Sequence, residues 1–366
     1  MDWATISRLD VRPRIHSALQ QSTYESLGQI LQAPSLELQK RLKLSSLEVS
    51  ELETAVCEVI YNVRSRRQTA AELQNLQRFL STGDPACDAL LSGGIPTRGI
   101  TEIVGESSSG KTQLLLQLCC IAQLPTNKGG LGGGVAFLHT EGKFPIPRLT
   151  QLLTRYKDDF PPQFDPSAHV HYVNLVDTET LYHIVFYQLP IIIERQQIKL
   201  VIIDSIAALY RGEHFDQDTK GRLSQRKELC DISVQLRTLS EQYGIPIVCS
   251  NQVSDALLDN EATSILDAYE QWLPTVETDI SDIELEPFVA SLSKVPTLGF
   301  LWSNSINVRI RLARGHRTEE LMKARRLMCV EFAPHAGKGC VEFEIYDLGL
   351  RAVSSTSETS DDVPSL

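Results

Sequence analysis

The run Gly105-Glu106-Ser107-Ser108-Ser109-Gly110-Lys111-Thr112 holds the residue types needed to grip a phosphate chain. It fits the pattern G-x-x-x-x-G-K-[ST]. Glycines at its ends let backbone N–H groups turn inward around phosphate oxygens without a Cβ in the way. A helix starting there adds a positive partial charge at its N-terminus. Lys111 would reach the β- and γ-phosphates as a point charge, and Thr112 would place a hydroxyl on Mg²⁺. The cofactors implied are ATP and Mg²⁺. The bland alternative, a Gly/Ser turn with a surface lysine, is opposed by context: an apolar run, 100–104, precedes the motif and an apolar helical pattern follows it.

Two carboxylates and an amide could complete such a site. Leu200-Val201-Ile202-Ile203-Asp204 is an apolar strand pattern ending in an acid, which after a P-loop suits Asp204 to the Mg²⁺ shell. The next residue is Ser205, so no glutamate stands directly after that acid. Glu141, just past the apolar run 135–138, is the candidate general base, with a turn acid as its alternative. Gln252, past the run 245–250, has a neutral amide able to sense a γ-phosphate and pull on the loop that follows.

Positioning these groups requires strands that end at one edge of a sheet. Apolar runs at 100–104, 135–138, 171–176, 200–203, 245–250, 307–312, 328–332 and 341–346 read as strands. Helical patterns at 112–124, 178–196 and 223–243 separate the early ones. That alternation predicts an α/β fold with a mostly parallel sheet, and the closely spaced later strands predict an antiparallel extension at one edge. In such a sheet the carboxyl ends carry ligands. Residues 1–63 read as short helices, with Ala33-Pro34-Ser35 as a break and N-cap; 64–79 read as a polar linker. The segment from 255 to 290 carries ten Asp and Glu and no Lys or Arg, and 353–366 is rich in Ser, Thr and Asp; both read as disordered.

The chain has 366 residues, 42% of them hydrophobic, and a net charge of −11, so any nucleic-acid contact must come from a local basic patch. No apolar run is long enough to span a membrane. Eight cysteines without zinc spacing read as reduced thiols. Lys220, Arg222, Arg226 and Lys227 form one basic cluster, either a DNA-backbone contact or a solvated helix start. A second runs from Arg309 to Arg326 and reads most simply as a solvated hairpin, with a groove or subunit interface as the alternative.

Together these motifs resemble the RecA family of strand-exchange ATPases, in its eukaryotic recombinase branch. Besides the P-loop, which continues into Gln113, the carriers are Ser81-Thr82-Gly83, Ala89-Leu90-Leu91-Ser92-Gly93-Gly94-Ile95, Gly99-Ile100-Thr101-Glu102, Thr140-Glu141-Gly142-Lys143-Phe144 with Arg148-Leu149, and Asn251-Gln252-Val253. The likeness covers nearly the whole chain and implies a RecA-like core over 80–352, with 255–294 as an acidic flexible loop and 14–60 as a small helical domain. It makes Glu141 the base, puts Arg148 near the adenine, and favours Arg226 among possible DNA contacts.

Within that branch the chain resembles a non-filament paralogue. Arg67-Gln68-Thr69-Ala70 stands where the family has Phe-x-x-Ala, with a cation in place of the aromatic anchor. Lys43-Leu44-Ser45-Ser46 lacks the glycine of the family's DNA-binding hairpin. The resemblance implies a nuclear mediator of homologous recombination, with a possible cytoplasmic pool. It implies a heterodimer with another recombinase paralogue on single-stranded DNA, and possibly contact with the main recombinase filament. The competing expectation is a DNA-dependent ATPase that forms its own filament. A P-loop kinase or helicase fits less well, because Glu141 lies one strand after the P-loop and helicase motifs are absent.

Overall fold

The computed structural model describes residues 9–22, 24, 26–61, 69–210, 219–255, 285–315 and 325–353. Two compact units divide the chain, Met1–Gln77 and Arg78–Leu366.

The first unit is a helical cluster: α1 (Pro13–Gln20), α2 (Leu27–Gln32), α3 (Ser35–Leu42), α4 (Ser46–Tyr61) and α5 (Ala70–Leu76). Its small core takes Ile15, Leu19, Leu27, Ile30, Leu38, Leu52 and Val56 from these short helices. The break falls at Ala33–Pro34, but Pro34 occupies the N-cap position, and Ser35 Oγ instead donates to Glu53 Oε1 at 2.7 Å. The turn between α3 and α4 puts Lys43 in the left-handed region at φ 50°, a conformation that favours glycine. Helix α4 is closed by a reciprocal cap: Glu48 Oε2 accepts from Ser45 N and Oγ, while Ser45 Oγ accepts from Glu48 N. Helix α5 lies within the stretch read as a linker, started by a Thr69/Glu72 capping box. Arg67 lies outside the described residues.

The second unit is built on a nine-stranded sheet in the order β13-β12-β11-β10-β3-β7-β6-β4-β5. Strands β3 (Ile100–Gly105), β4 (Gly134–His139), β5 (Val170–Asn174), β6 (Ile198–Asp204), β7 (Ile247–Asn251) and β10 (Val308–Arg314) run parallel. Strands β11 (Arg326–Phe332), β12 (Gly339–Tyr346) and β13 (Gly349–Ala352) extend one side antiparallel. Two short ribbons accompany it, β1 (Phe79–Leu80) with β2 (Ile95–Pro96) and β8 (Val253–Ser254) with β9 (Val295–Pro296). The mostly parallel α/β sheet with an antiparallel edge is the architecture the alternation of patterns predicts. β3, β4 and β7 are buried at every residue because helices cover both faces.

Short α6 (Pro85–Leu90) leads in, capped by Asp84. Helix α7 (Lys111–Ala122) is buried at every position from Leu114 to Ala122, enclosed between the sheet and α8 (Ile146–Arg155). Each of its fully buried leucines contributes about 1.5–3 kcal/mol of transfer free energy. Gln117, buried in the same helix, spans Thr82 O at 2.6 Å and Leu350 N at 2.7 Å, which stitches β13 to the lead-in segment. On the other face, α9 (Thr178–His183) passes through a π turn (Ile184–Gln188) into α10 (Leu189–Arg195). Pro190 lacks an N–H for the regular ladder, which accounts for the wider turn before it. A single turn, α11 (Ile206–Leu209), follows β6. Helix α12 (Thr219–Tyr243) seats Leu229, Ile232, Leu236 and Leu239 on the sheet at helical spacing. Its Ser240 Oγ accepts from Gly99 N at 2.7 Å and so pins the start of β3. Two short helices, α13 (Val289–Leu292) and α14 (Gly299–Ser303), precede β10. No described helix is long and apolar enough to cross a membrane.

Candidate nucleotide-binding site

Four parallel strands end side by side at the carboxyl edge, and each delivers one part of a cleft of about 580 Å³. From β3 comes the P-loop. Gly105 closes against the sheet so tightly that a Cβ would stand 2.4 Å from Leu312 O, and Gly110, at φ 112°, would meet Ile345 at 3.0 Å. Only glycine fits this left-handed position next to a covered wall. Ser107, Ser108, Gly110, Lys111, Thr112 and Gln113 line the cleft. Ser109 is buried beneath the loop, and Glu106 turns away to pair with Lys294 at 3.2 Å. Lys111 Nζ donates to Gly105 O at 2.7 Å and Glu106 O at 2.9 Å, which holds its ammonium in the mouth of the loop.

From β6 comes Asp204. Its Oδ2 accepts from Thr112 Oγ1 at 2.8 Å and its Oδ1 from Ser250 Oγ at 2.5 Å. One carboxylate thus bridges the first turn of α7 and the end of β7. From β4 comes Thr140, whose hydroxyl both accepts from Ser205 N at 2.8 Å and donates to Ser205 O at 3.1 Å, locking the ends of β4 and β6 together. Glu141 follows on the solvent side. Phe144 anchors its turn by packing edge-on against Phe137 at 5.0 Å and stacking on Tyr172 at 4.9 Å. From β7 comes Gln252, whose Nε2 donates to Glu141 Oε1 at 2.9 Å. Gln252 is tied in turn to β9, since its carbonyl accepts from Thr297 N at 2.9 Å.

The opposite wall is formed by the end of β12. Arg148 donates from Nε to Gln113 Oε1 at 2.8 Å, and its Nη atoms reach Tyr346 O and Asp347 O, both at 2.8 Å. A planar fork held this way against Tyr346 suits an aromatic base.

This donor set fits a magnesium nucleotide. The loop supplies N–H groups and a cation, while a hydroxyl and a carboxylate already within 2.8 Å of each other match a cation that keeps water and takes few protein oxygens. Thr112 and Asp204 would hold the Mg²⁺, Gly105–Gln113 the phosphates, and Arg148 the base side. Among the described residues no group of three or more His, Cys, Asp or Glu forms another metal cluster.

The remaining candidates lie elsewhere. Arg226 and Lys227 are exposed on α12 and do not line the cleft. The side chains of Lys220 and Arg222 and the segment 256–284 lie outside the described residues. The basic run before Arg326 is not simply a solvated hairpin. Arg309 and Arg311 are buried, because Glu102 lies under Arg309 Nε at 2.5 Å and Glu331 contacts both arginines. Ser250, Tyr346 and Lys294 belong to the site or its walls without a role read from sequence, and Thr140 and Arg326, quoted only within longer runs, join them. For Ser250 and Thr140 the adjacency to Gln252 and Glu141 is the available signal; the other three reach the site from segments far from it in sequence.

Residues 74–270 match the Rad51 family, more than half of the chain. Over 371 residues the chain is 34% identical to the DNA repair protein XRCC3 of Bos taurus, a match spanning 96% of this chain and 99% of that protein. It is 32% identical to the DNA repair protein rhp57 of Schizosaccharomyces pombe, over 86% of this chain and 89% of that one. It is also 32% identical to the DNA repair protein RAD51 homolog 2 of Homo sapiens, over 86% and 80%. With the P-loop, the paired Thr112 and Asp204, and the Glu141–Gln252 contact on one RecA-like sheet, this chain belongs to the RecA/Rad51 family of P-loop ATPases as a paralogue similar to XRCC3 along nearly its whole length.

Proposed function

We propose that this chain is an ATP-switched mediator of homologous recombination and DNA double-strand break repair. In this reading it works in the nucleus in a heteromer with another paralogue of its family, on single-stranded DNA, and turns ATP over slowly. The observation that carries the reading is the 2.9 Å hydrogen bond from Gln252 to Glu141 across the cleft. When bound, Mg²⁺-ATP supplies the electrophilic γ-phosphate, with its charge met by the loop, the lysine and the metal. Glu141 is placed to take a proton from water. One of its oxygens is engaged by Gln252, so the orientation of the carboxylate and the position of residues 252–255 depend on each other. Turnover and the position of residues 252–255 are thereby coupled, which suits a switch better than a motor. The relatives are named DNA repair proteins, which supports the pathway. The ten carboxylates of 255–290 repel phosphate, so DNA contact falls to cations such as Arg226 and Lys227.

The test is electron microscopy of the purified chain with ATP and single-stranded DNA at physiological salt, alone and with a paralogue of its family. The expected result is a discrete heteromer on DNA and no long filament of the isolated chain. Regular ATP-dependent filaments of the chain alone would replace the mediator reading with that of a self-sufficient recombinase.

A further inference from the structure

Arg325 and Arg326 are adjacent where the chain enters β11, so extended-chain alternation sends them to opposite faces of the sheet. Arg325 is committed on its face: Nε and Nη2 donate to Glu342 Oε1 at 2.7 Å and Oε2 at 2.9 Å, and the guanidinium lies 5.7 Å from the Phe288 ring. Arg326 takes the other face. It stands directly across from Arg314 on β10 and Phe343 on β12. That is the P-loop face, since Phe343 packs with Ile310 and Leu312 in the core under α7. Leu312 is level with Gly105, so Arg314 and Arg326 stand beyond the end of β3, beside the phosphate loop. Arg326 lines the nucleotide cleft together with Ser107, Ser108 and Lys111.

Two like charges directly opposite on one face of a sheet are destabilising. Here burial, and then Arg314, pull the Arg326 guanidinium below its ordinary range. A half-buried cation pair opening on a phosphate-shaped loop gains from an anion that takes its donors. We propose that Arg326, backed by Arg314, is a phosphate-binding residue of this cleft, taking a non-bridging oxygen of the nucleotide and so adding to Lys111 a second cation with a directional fork. The inference rests on the assignment of ATP to this cleft and adds the residue that completes its β11 wall.

The experiment compares wild type with Arg326→Gln, Arg326→Lys and Lys111→Ala. It uses titration calorimetry with ATP and ADP, ligand-observed NMR with adenosine, and thermal melting without nucleotide. For Arg326→Gln we expect about a tenfold loss of affinity for ATP and ADP, the scale of one charge-assisted contact, and none for adenosine. Its melting temperature without nucleotide should be unchanged or higher, because Arg314 loses a like-charged neighbour. Arg326→Lys should fall between, and it carries the test if the glutamine variant does not fold. Wild-type ATP affinity in Arg326→Gln, beside a loss in Lys111→Ala, would overturn the proposal and leave the nucleotide site standing. So would an equal loss for adenosine, or an intact ATP affinity with lost binding to a paralogue, which would give Arg326 to a carboxylate of another chain. Wild-type ATP affinity in Lys111→Ala as well would remove the nucleotide assignment itself.

Discussion

Replacing Glu102 by glutamine tests how the site is held from below. Glu102 is fully buried in β3, and its carboxylate accepts from Asn251 Nδ2 and Trp302 Nε1 at 2.7 Å and from Arg309 Nε at 2.5 Å. Every one of those groups is a donor, so an amide in the same place must aim its own NH₂ at one of them. The substitution also leaves Arg309, only 10% exposed, to the more distant Glu331 carboxylate at 3.7 Å. Burial pushes the Glu102 carboxyl upward, and the charge of Arg309 and the hydrogen bonds from Asn251, Arg309 and Trp302 offset only part of that; the arrangement is strong only while complete. Breaking a buried pair by removing one charge costs about 3–5 kcal/mol. In a unit of this size each kcal/mol lowers the melting temperature by roughly 2–4 °C, so the core transition should fall by on the order of 10 °C. Because Asn251 sits beside Gln252, ATP hydrolysis should fall as well. Circular dichroism melting reads the first effect. The control is Glu102→Gln with Arg309→Met, which removes both charges and should recover more than half of the loss. A single variant that melts within about 2 °C of wild type, or a double variant worse than the single, would show that the charge pairing is not what holds the network.

Glu141→Gln should keep ATP affinity within about twofold while lowering single-turnover hydrolysis by roughly 10²–10⁴-fold, the range of a lost general base; equal rates in variant and wild type would remove Glu141 from that role. In the helical unit, the Ser45 backbone N–H holds the Glu48 carboxyl below its usual range, and the Arg12 guanidinium does the same for Glu51. A depressed folded-state pKa gives stability that is present above the unfolded value of about 4.3 and lost as pH falls through the folded one. Hydrogen exchange over residues 13–56, corrected for intrinsic rates, should therefore show weaker protection below about pH 4, with a smaller drop in Glu48→Gln/Glu51→Gln; an identical drop in that variant would assign the acid sensitivity to other groups.

The parts of this fold legible in the sequence were those whose cause is local. β3, β6 and β7 are read as strands because most of their residues are apolar, with helices covering both faces, and the P-loop announces itself because phosphate binding needs specific residue types at consecutive positions. Helix α8 was less visible: Pro145 and Pro147 at its start blur the helical signal, although Leu149, Leu152 and Leu153 bury at helical spacing. For Arg309 and Arg311 the simpler reading, a solvated hairpin, does not hold, and the reason is physical. Alternation on β10 buries Arg309 and Arg311, and burial is tolerated only because Glu102 waits 207 residues earlier and Glu331 on the next strand. A charge looks exposed in sequence until its partner is placed.

The same dependence on distant partners ties the cleft to residues 252–255 and 294–297. Glu106 leaves the P-loop to meet Lys294 at 3.2 Å, and Lys294 meets Asp255 at 3.5 Å, so one ammonium joins the phosphate loop to both roots of the acidic segment. The Glu106 carboxylate, more than any other group there, raises the affinity of Lys294 for its proton. Arg311 Nη1 donates to the Lys294 carbonyl at 2.8 Å, and Thr297 fastens the same strand to Asn251 Oδ1 and Gln252 O. Two routes therefore run from the nucleotide cleft to residues 252–255 and 294–297: one through Glu141 and Gln252, the other through Glu106 and Lys294. The first begins next to Asn251, which the buried Glu102 holds together with Trp302 and Arg309. A shift of the P-loop that weakened the Glu106–Lys294 pair would leave the contacts of Gln252, Thr297 and Arg311 in place. The phosphate loop and the end of β7 are thus each joined to residues 294–297 by a few discrete ion pairs and hydrogen bonds above a fully paired buried carboxylate.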